Sequence, residues 1–209
     1  DVGDYLVELQ VEDVAGAADT RSFTINVSNI NDPPRFTSRP DTEGEQNALY
    51  RYLITVADPD AGDILTITAP TLPNWLRFTD NGAGAAVIEG QPGNSDIGEH
   101  SVELRVRDAA DVTDTQSFTI TVANVNDPPV FPEISLPPAT DDAPYAFEII
   151  ISDPDAGDRL TITAPELPGW LTLTDNGDGI ATLAGTPGDA DTGDHPLVLQ
   201  VEDAAGTVI

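Results

Sequence analysis

A gapless internal repeat constrains the fold of this chain more than any other feature. Residues 29–34 read Asn-Ile-Asn-Asp-Pro-Pro and residues 124–129 read Asn-Val-Asn-Asp-Pro-Pro, so Asp32 and Asp127 lie 95 positions apart (127 − 32). Asp-Pro-Asp-Ala-Gly-Asp at 58–63 recurs at the same offset, and so does a later Leu-Pro-x-Trp-Leu. A constant offset without insertions indicates tandem copies of one domain.

The offset divides the chain into three parts. We predict strands F and G of a truncated repeat at 1–29 (the first repeat), a complete repeat at 30–124 (the middle repeat), and a repeat lacking its last strand at 125–209 (the last repeat). A unit of about 95 residues is large enough for its own core, which favours separate domains over a thin solenoid. Strand G of one molecule, Arg21–Val27, would complete the last repeat of another by strand addition. We favour proteolysis or a fragment boundary over this strand-swapped self-association.

Within a repeat, apolar and polar residues alternate, which is the period of a β-strand. Alternation is evident at 50–56, 102–106 and 118–122, and it places one face of each strand on a core. Asp-Asn-Gly at 80–82 predicts the positive-φ residues of a hairpin turn. About seven short strands per repeat predict an all-β chain of immunoglobulin-like Greek-key sandwiches joined end to end.

The composition restricts the partners of such a chain. Its net charge is −29, from 37 acidic residues and 8 basic ones, all Arg. This balance attracts cations and argues against nucleic acid and anionic membrane surfaces as partners. No apolar run approaches the length of a membrane span, so we expect no membrane insertion, and any targeting segment is expected outside this stretch. The absence of Cys leaves the compartment open.

Strand order predicts that acidic residues from distant loops meet at one corner of the middle repeat. Alternate loops of an antiparallel sandwich share one end, so the linker, the loop at 58–63 and the loop after the strand at 102–106 converge. The side chains expected there are Asn31, Asp32, Asp58, Asp60, Asp63 and Asp108. Crowded carboxylates repel unless a cation lies among them, and an all-oxygen ligand set suits Ca²⁺. Asp96, in a loop at the opposite end, is predicted to face the next linker.

These motifs resemble those of a known family. The motif Asn-x-Asn-Asp-Pro-Pro, followed by Asp-Pro-Asp-Ala-Gly-Asp and a strand ending Val-x-Asp-Ala-Ala, is similar to cadherin-like repeats. The likeness is greatest to the dystroglycan-type cadherin-like and "putative Ig" repeats of large bacterial surface proteins, and it covers the whole chain. It implies Ca²⁺ at the junctions between repeats, where the ion stiffens the chain.

The resemblance implies two sets of metal ligands. In the first set it places Asn31, Asp32, Asp58, Asp60 and Asp108, with the Pro33 carbonyl nearby, and in the second set Asn126, Asp127, Asp153, Asp155 and Asp203. We add Asp63 from the first acidic loop, and Pro128 and Asp158 as the counterparts of Pro33 and Asp63 in the next repeat. The chain also departs from the animal motif, because Asn29 and Pro33 replace stronger ligands and no Asp-Arg-Glu triplet precedes the sixth strand. We therefore expect one or two ions per junction, fewer than in animal cadherins.

Other residues invite rival interpretations. Trp75 and Trp170 suit either sugar stacking or core packing, and their place between Pro and Leu favours packing. His100 and His195 have no second His or Cys nearby, which argues against zinc or catalysis. Asp pairs that recur in every copy fit scaffolding better than glycoside chemistry. We therefore predict that the chain is not an enzyme.

Together these observations predict an extracellular Ca²⁺-binding tandem repeat on a bacterial cell surface, where it acts as a structural or adhesive extender. The alternative is a Ca²⁺-dependent carbohydrate-binding module attached to a secreted enzyme or adhesin. Expected partners are neighbouring repeats of the same chain, with surface glycans or a homophilic copy as further possibilities. Residues alone do not separate the two functions.

Overall fold

The computed structural model describes residues 2–209, which form strands joined by turns and loops. The chain divides into two compact units. Unit 1 comprises Asp1–Gly44, Leu49–Gln91 and Glu99–Thr121, and unit 2 comprises Glu45–Ala48, Pro92–Gly98 and Val122–Ile209. The repeat boundaries proposed after residues 29 and 124 are boundaries of sequence, and they stay predictions.

The strands of the first two repeats follow the alternating pattern of the sequence. They are β1 (Gly3–Glu12), β2 (Ala18–Val27), β3 (Arg35–Phe36), β4 (Glu43–Glu45), β5 (Tyr50–Ala57), β6 (Thr66–Thr71), β7 (Leu76–Gly82), β8 (Ala85–Gly90), β9 (Gly98–Arg107) and β10 (Thr113–Ala123). Strands β1 and β2 form an antiparallel hairpin in register from Gly3↔Val27 to Glu12↔Ala18.

Two four-stranded sheets make up the middle repeat, in the orders β3-β5-β8-β7 and β4-β10-β9-β6. This confirms the prediction of an all-β, immunoglobulin-like fold. The first strand of the sandwich is split into β3 and β4, which belong to different sheets. Glu43–Glu45 has no apolar alternation, so the sequence did not predict β4. The inward residues of both sheets form the core, and the most buried are Ile54, Ile67, Ile88, Leu104, Val106 and Ile120.

The last repeat follows the same plan with less regular structure. Its strands are β11 (Tyr145–Ile150), β12 (Thr161–Glu166), β13 (Leu171–Gly177), β14 (Ile180–Gly185) and β15 (Val198–Glu202). They form the sheets β11-β14-β13 and β12-β15, and the chain entering the repeat adds an isolated bridge between Val130 and Ser152. Its core contains Ile149, Ile151, Leu160, Ile162, Leu171, Ala181, Leu183 and Val201.

One detail of the predicted hairpin is wrong. Strand β7 continues through Asn81 to Gly82, with a bulge between Asp80 and Gly82, and the two turn residues are Ala83 (φ 52°) and Gly84 (φ 75°). Of Asn81 and Gly82, only Gly82 has a positive φ (72°). The positive-φ turn pair is therefore displaced from Asn81 and Gly82 to Ala83 and Gly84. The second turn residue lies close to the backbone of β5, with Val56 N donating to Gly84 O at 2.9 Å.

No helix within residues 2–209 is long and apolar enough to cross a membrane. The only helical elements in that range are two 3₁₀ turns, Asn94–Asp96 before β9 and Asp189–Asp191 before β15.

Candidate metal centres

The first acidic cluster lies where β5 and β9 of the middle repeat end. It comprises Asp58, Asp60 and Asp63 from the β5–β6 loop and Asp108 directly after β9. Carboxylate oxygens of three of them, Asp58, Asp63 and Asp108, all lie within 4.8 Å of one another. Asp108 is only 4% exposed. Residues 50 positions apart thus share one small acidic volume (108 − 58).

The β5–β6 loop curls around its own carboxylates. Asp60 N donates to Asp58 Oδ1 at 2.8 Å, which is an Asx turn, and Asp63 N donates to Asp60 O at 3.2 Å. Gly62 between them has a φ of 90°, a backbone state that most side chains avoid. The Asp-Pro-Asp-Ala-Gly-Asp sequence therefore encodes a tight loop that keeps its acidic groups on one side.

Residues of the linker at 29–34 donate hydrogen bonds to this cluster. Asn31 Nδ2 donates to Asp108 Oδ2 at 2.8 Å, and Asp32 N donates to Asp60 Oδ2 at 2.7 Å. Asn29 Nδ2 also donates to Asp60, at 2.9 Å to Oδ1. The structure brings together the residues for which strand order predicted a common corner, and their role as metal ligands stays a prediction.

The second acidic cluster repeats this arrangement in the last repeat with Asp153, Asp155, Asp158 and Asp203. The first three offer carboxylate oxygens within 4.8 Å of one another. Asn126 Nδ2 donates to Asp203 Oδ2 at 2.8 Å and Asp127 N donates to Asp155 Oδ2 at 2.7 Å, which matches the contacts in the first cluster. The chain therefore repeats the acidic cluster and its contacts with the linker, while the three aspartates with oxygens within 4.8 Å of one another differ between the two clusters.

Buried carboxylate oxygens without a hydrogen-bond partner mark both clusters. In the first cluster this atom is Asp58 Oδ2, and in the second cluster the atoms are Asp153 Oδ2 and Asp155 Oδ1. A buried carboxylate oxygen with neither hydrogen bond nor counter-charge is costly. The cost disappears when a cation accepts these oxygens as ligands.

Electrostatics in the second cluster give the same indication. Burial raises the pKa of Asp153 above its ordinary value, and the charges of Asp155, Asp158 and Asp203 raise the pKa further against an opposing backbone hydrogen bond. Burial in the first place, with repulsion from the neighbouring carboxylates added to it, thus disfavours the ionised form of Asp153. A divalent cation would reverse this effect.

Asp108 and Asp203, which follow β9 and β15, behave differently because hydrogen bonds to their carboxylates stabilise the charged form. The side chain of Asn31 is the main cause that lowers the pKa of Asp108. For Asp203, burial raises the pKa, but bonds from Asn126 and Thr207 together outweigh burial, so the net pKa is lowered. Both groups are consequently ionised at neutral pH and suited to bind a cation.

The donor set fits Ca²⁺. Each cluster supplies four carboxylates, with the side-chain amide of Asn31 or Asn126 at its edge and backbone carbonyls nearby, and no nitrogen or sulfur ligand. Hard oxygen ligands from flexible loops are the ligands that Ca²⁺ prefers. The buried oxygens of Asp58 and Asp153 that lack hydrogen-bond partners are the first candidates for contact with a bound cation.

Some predicted ligands lie elsewhere or have other contacts. Asp96 Oδ2 accepts from Gly93 N at 2.9 Å and so caps its own 3₁₀ turn. Pro33 and Pro128 are exposed on the linkers. Asp127 directs Oδ2 at Gln46 Nε2 (2.6 Å) and at an asparagine amide, not at the second cluster. Their metal roles stay predictions.

The sequence did not predict the role of two residues, Gln46 and Asn94, whose side-chain amides donate hydrogen bonds to Asp127 Oδ2. Their signal was weak, because each is an ordinary polar residue in a loop. The homologous positions in the last repeat carry acids: Asp141 replaces Gln46 and Asp189 replaces Asn94. With Asp142 these acids form a third group within 4.8 Å, and all three are exposed.

The two tryptophans are packed inside their repeats. Trp75 makes edge contacts with Tyr50 at 5.8 Å and His100 at 5.7 Å between ring centroids, and Trp170 repeats the arrangement with its own Tyr and His. Both indole rings are half-buried. This is the packing role that the sequence favoured over a sugar platform.

The comparisons with known proteins agree with this architecture. The family model He_PIG, described as "Putative Ig domain", matches residues 33–123 and 128–209. Extracellular cadherin domains 1–5 of Protocadherin Gamma B2 align with 100% of this chain and 44% of theirs, at 17% identity and a TM-score of 0.62. Domains 3–6 of the same protocadherin align with 96% of this chain and 53% of theirs, at 19% identity and a TM-score of 0.54. At these identities the likeness shows the fold.

An endo-fucoidan hydrolase, MfFcnA4 from glycoside hydrolase family 107, aligns with 100% of this chain at 25% identity and a TM-score of 0.43. The chain spans only 33% of that enzyme's length, and the superposition is too loose to inform function. No curated protein matches the chain.

Proposed function

Because the chain belongs to the Putative Ig domain family, we propose that it is a Ca²⁺-binding structural and adhesive extender. Tandem Ig-like and cadherin-like repeats are the architecture of a spacer, and this fold typically carries no catalytic site. Such repeats are also typical of extracellular or surface proteins, which supports a place on the outer surface of a bacterial cell.

One observation carries the calcium part of the proposal. Buried carboxylate oxygens of Asp58 in the first cluster, and of Asp153 and Asp155 in the second, have no hydrogen-bond partner. The Oδ2 atoms of Asp58 and Asp153 recur at the 95-residue offset (153 − 58), which makes a chance arrangement a poor explanation. A repeated binding function is expected to repeat the buried oxygens that lack hydrogen-bond partners as well as the residues that carry them.

The protein's own groups would perform distinct tasks at each site. The paired aspartates of the first loop, Asp58 and Asp60, would present ligand oxygens, while Asp108 is held ionised by Asn31. The backbone of Asp32 already contacts Asp60 at 2.7 Å, so the linker adjoins the site. The ion supplies positive charge that screens the carboxylates. Binding would therefore tie the linker to the loops and stiffen the junction.

Affinity should be modest. Extracellular calcium modules bind with dissociation constants of about 10⁻⁴–10⁻³ M. At a hundredfold excess over the dissociation constant, binding stabilises the folded state by about 2.7 kcal/mol. This corresponds to a rise in Tm of roughly 10–20 °C for a domain of this size.

Calorimetry with Ca²⁺ and with EDTA tests the proposal, together with small-angle scattering. Calcium should raise Tm and narrow the distribution of chain dimensions, and EDTA should reverse both effects. The matched control carries Asp58→Asn and Asp153→Asn, which should reduce the response to Ca²⁺ at both clusters. Identical melting and scattering in Ca²⁺ and EDTA would disprove the proposal.

The proposed partners are neighbouring repeats and, for adhesion, either a second copy or a surface glycan. Beads coated with the protein should aggregate in Ca²⁺ if copies adhere to each other. The carbohydrate-binding alternative stays a prediction, because the packing of Trp75 against Tyr50 and His100 supplies no exposed aromatic platform there.

A further inference from the structure

A buried side-chain amide adjoins the linker that follows β10. Gln46 directly follows β4 and is only 2% exposed, and Asn94 begins the 3₁₀ turn Asn94–Asp96. Both residues belong to unit 2, in the segments 45–48 and 92–98, as does the linker that starts at Val122. A fully buried glutamine in a loop requires a specific set of partners.

Those partners all lie on or beside the linker. Gln46 Nε2 donates to Asp127 Oδ2 at 2.6 Å and to Asn94 Oδ1 at 2.9 Å. Gln46 Oε1 accepts from Val125 N at 3.1 Å. The backbone N–H of Gln46 also donates to the carbonyl of Ala123 at 3.0 Å. Both donor positions of the glutamine amide, and its oxygen, therefore have partners in this arrangement.

Asn94 completes the contact from the other loop. Its Nδ2 donates to Asp127 Oδ2 at 2.8 Å, so one carboxylate oxygen receives two amide hydrogen bonds. Hydrogen bonds to an ionised acceptor are about twice as strong as neutral ones. The two amide donors thus give this oxygen hydrogen-bond partners without a cation beside it.

The last repeat shows that this arrangement is not a general property of the fold. At the homologous positions Asp141 replaces Gln46 and Asp189 replaces Asn94. Ionised aspartates accept hydrogen bonds but cannot donate them, so this pair would repel a carboxylate. The amides of the middle repeat are therefore a distinguishing feature.

We propose that Gln46 and Asn94 form a carboxylate clasp that recognises Asp127 and fixes the linker without any metal ion. The clasp recognises two groups of the linker, the carboxylate of Asp127 and the backbone N–H of Val125 two residues before it. It goes beyond the proposed calcium function, because it operates in EDTA. Gln46 acts here as a positioning residue for the linker.

A reciprocal exchange of amide and carboxylate tests the clasp in the full chain, in EDTA. Gln46→Glu keeps the size of the side chain but places a second carboxylate against Asp127. It should lower Tm by roughly 5–10 °C and reduce the hydrogen-exchange protection of the Val125 amide about tenfold or more. Adding Asp127→Asn restores an amide–carboxylate pair with reversed roles and should recover at least half of both losses.

The control is Gln200→Glu on β15, which adds the same charge to unit 2 away from the clasp and should leave Val125 protection unchanged. Equal behaviour of Gln46→Glu and this control would overturn the clasp. So would a folded double variant, verified by circular dichroism, that shows no recovery. All measurements are made without Ca²⁺, so failure of the calcium proposal leaves this result interpretable.

Discussion

The two acidic clusters have the same sequence plan but differ in how their charges are compensated. In the first, Asp60 Oδ1 accepts a hydrogen bond from Asn29 at 2.9 Å. In the second, the homologous atom, Asp155 Oδ1, is buried without a partner, and Asp155 is only 7% exposed. The homologue of Asn29 is Asn124, which is equally exposed but donates no hydrogen bond to Asp155 Oδ1. One linker amide thus separates a partly compensated cluster from a strained one.

This difference predicts that the two clusters respond unequally to a cation, although their motifs are the same. The second cluster has two orphaned oxygens, on Asp153 and Asp155, where the first has one, on Asp58. The raised pKa of Asp153 reports the same excess of buried negative charge. We therefore expect calcium to stabilise the last repeat more than the middle repeat.

The largest expected effect concerns the hairpin turns beside the clusters. A Cβ on Gly179 would lie 2.2 Å from Ile151 O, two residues before Asp153, whereas a Cβ on Gly84 would lie 3.0 Å from Val56 O. Both glycines have positive φ. Gly179→Ala should cost about 3–4 kcal/mol and Gly84→Ala about 1–2 kcal/mol in urea denaturation. Equal costs would show that the two turns support their clusters alike.

The next largest effect is the change in stability when one carboxylate of a cluster is replaced by an amide. Asp153→Asn should stabilise the metal-free protein by about 1 kcal/mol, because it removes a repelled charge, while it abolishes the response of the last repeat to Ca²⁺. Asp58→Asn, the matched variant, should give a smaller gain in EDTA. Calorimetry in EDTA and in Ca²⁺ measures both, and a loss of metal-free stability in Asp153→Asn would contradict the repulsion.

A pH series sharpens the same comparison. Because the folded-state pKa of Asp153 is raised above the ordinary 3.8, its contribution to metal-free stability is present below pH 3.8 and is lost as pH rises through the raised pKa. Asp153→Asn should remove this loss from the melting curves in EDTA. An unchanged slope of Tm against pH in that variant would assign the dependence to other carboxyl groups.

The smallest expected effect is that of the linker amide. Asn29→Ala removes the bond to Asp60 and should cost about 0.5–1 kcal/mol in EDTA. Asn124→Ala, its counterpart in the second linker, should change stability by less than about 0.5 kcal/mol. If both variants behave alike under urea denaturation, Asn29 is not what distinguishes the clusters.

Local features explain what could be predicted of the fold. Alternation at Tyr50–Ala57 and Gly98–Arg107 placed strands correctly, because a period of two depends only on neighbouring residues. The short β4 was missed, because Glu43–Glu45 forms a strand through pairing with β10 and not through its own pattern. The hairpin turn was displaced for a similar reason, since Gly84 is selected by its approach to Val56.

The repeat, the all-β class and the meeting of acids from the linker and two loops at one corner could all be predicted from residues alone. They follow from periodicity, turn residues and strand order, which short segments of sequence encode. Which carboxylate oxygens lack partners, and that Gln46 donates to Asp127, became known from the folded structure. That contact joins residues 81 positions apart, and its existence depends on distances of a few ångströms that no local pattern encodes.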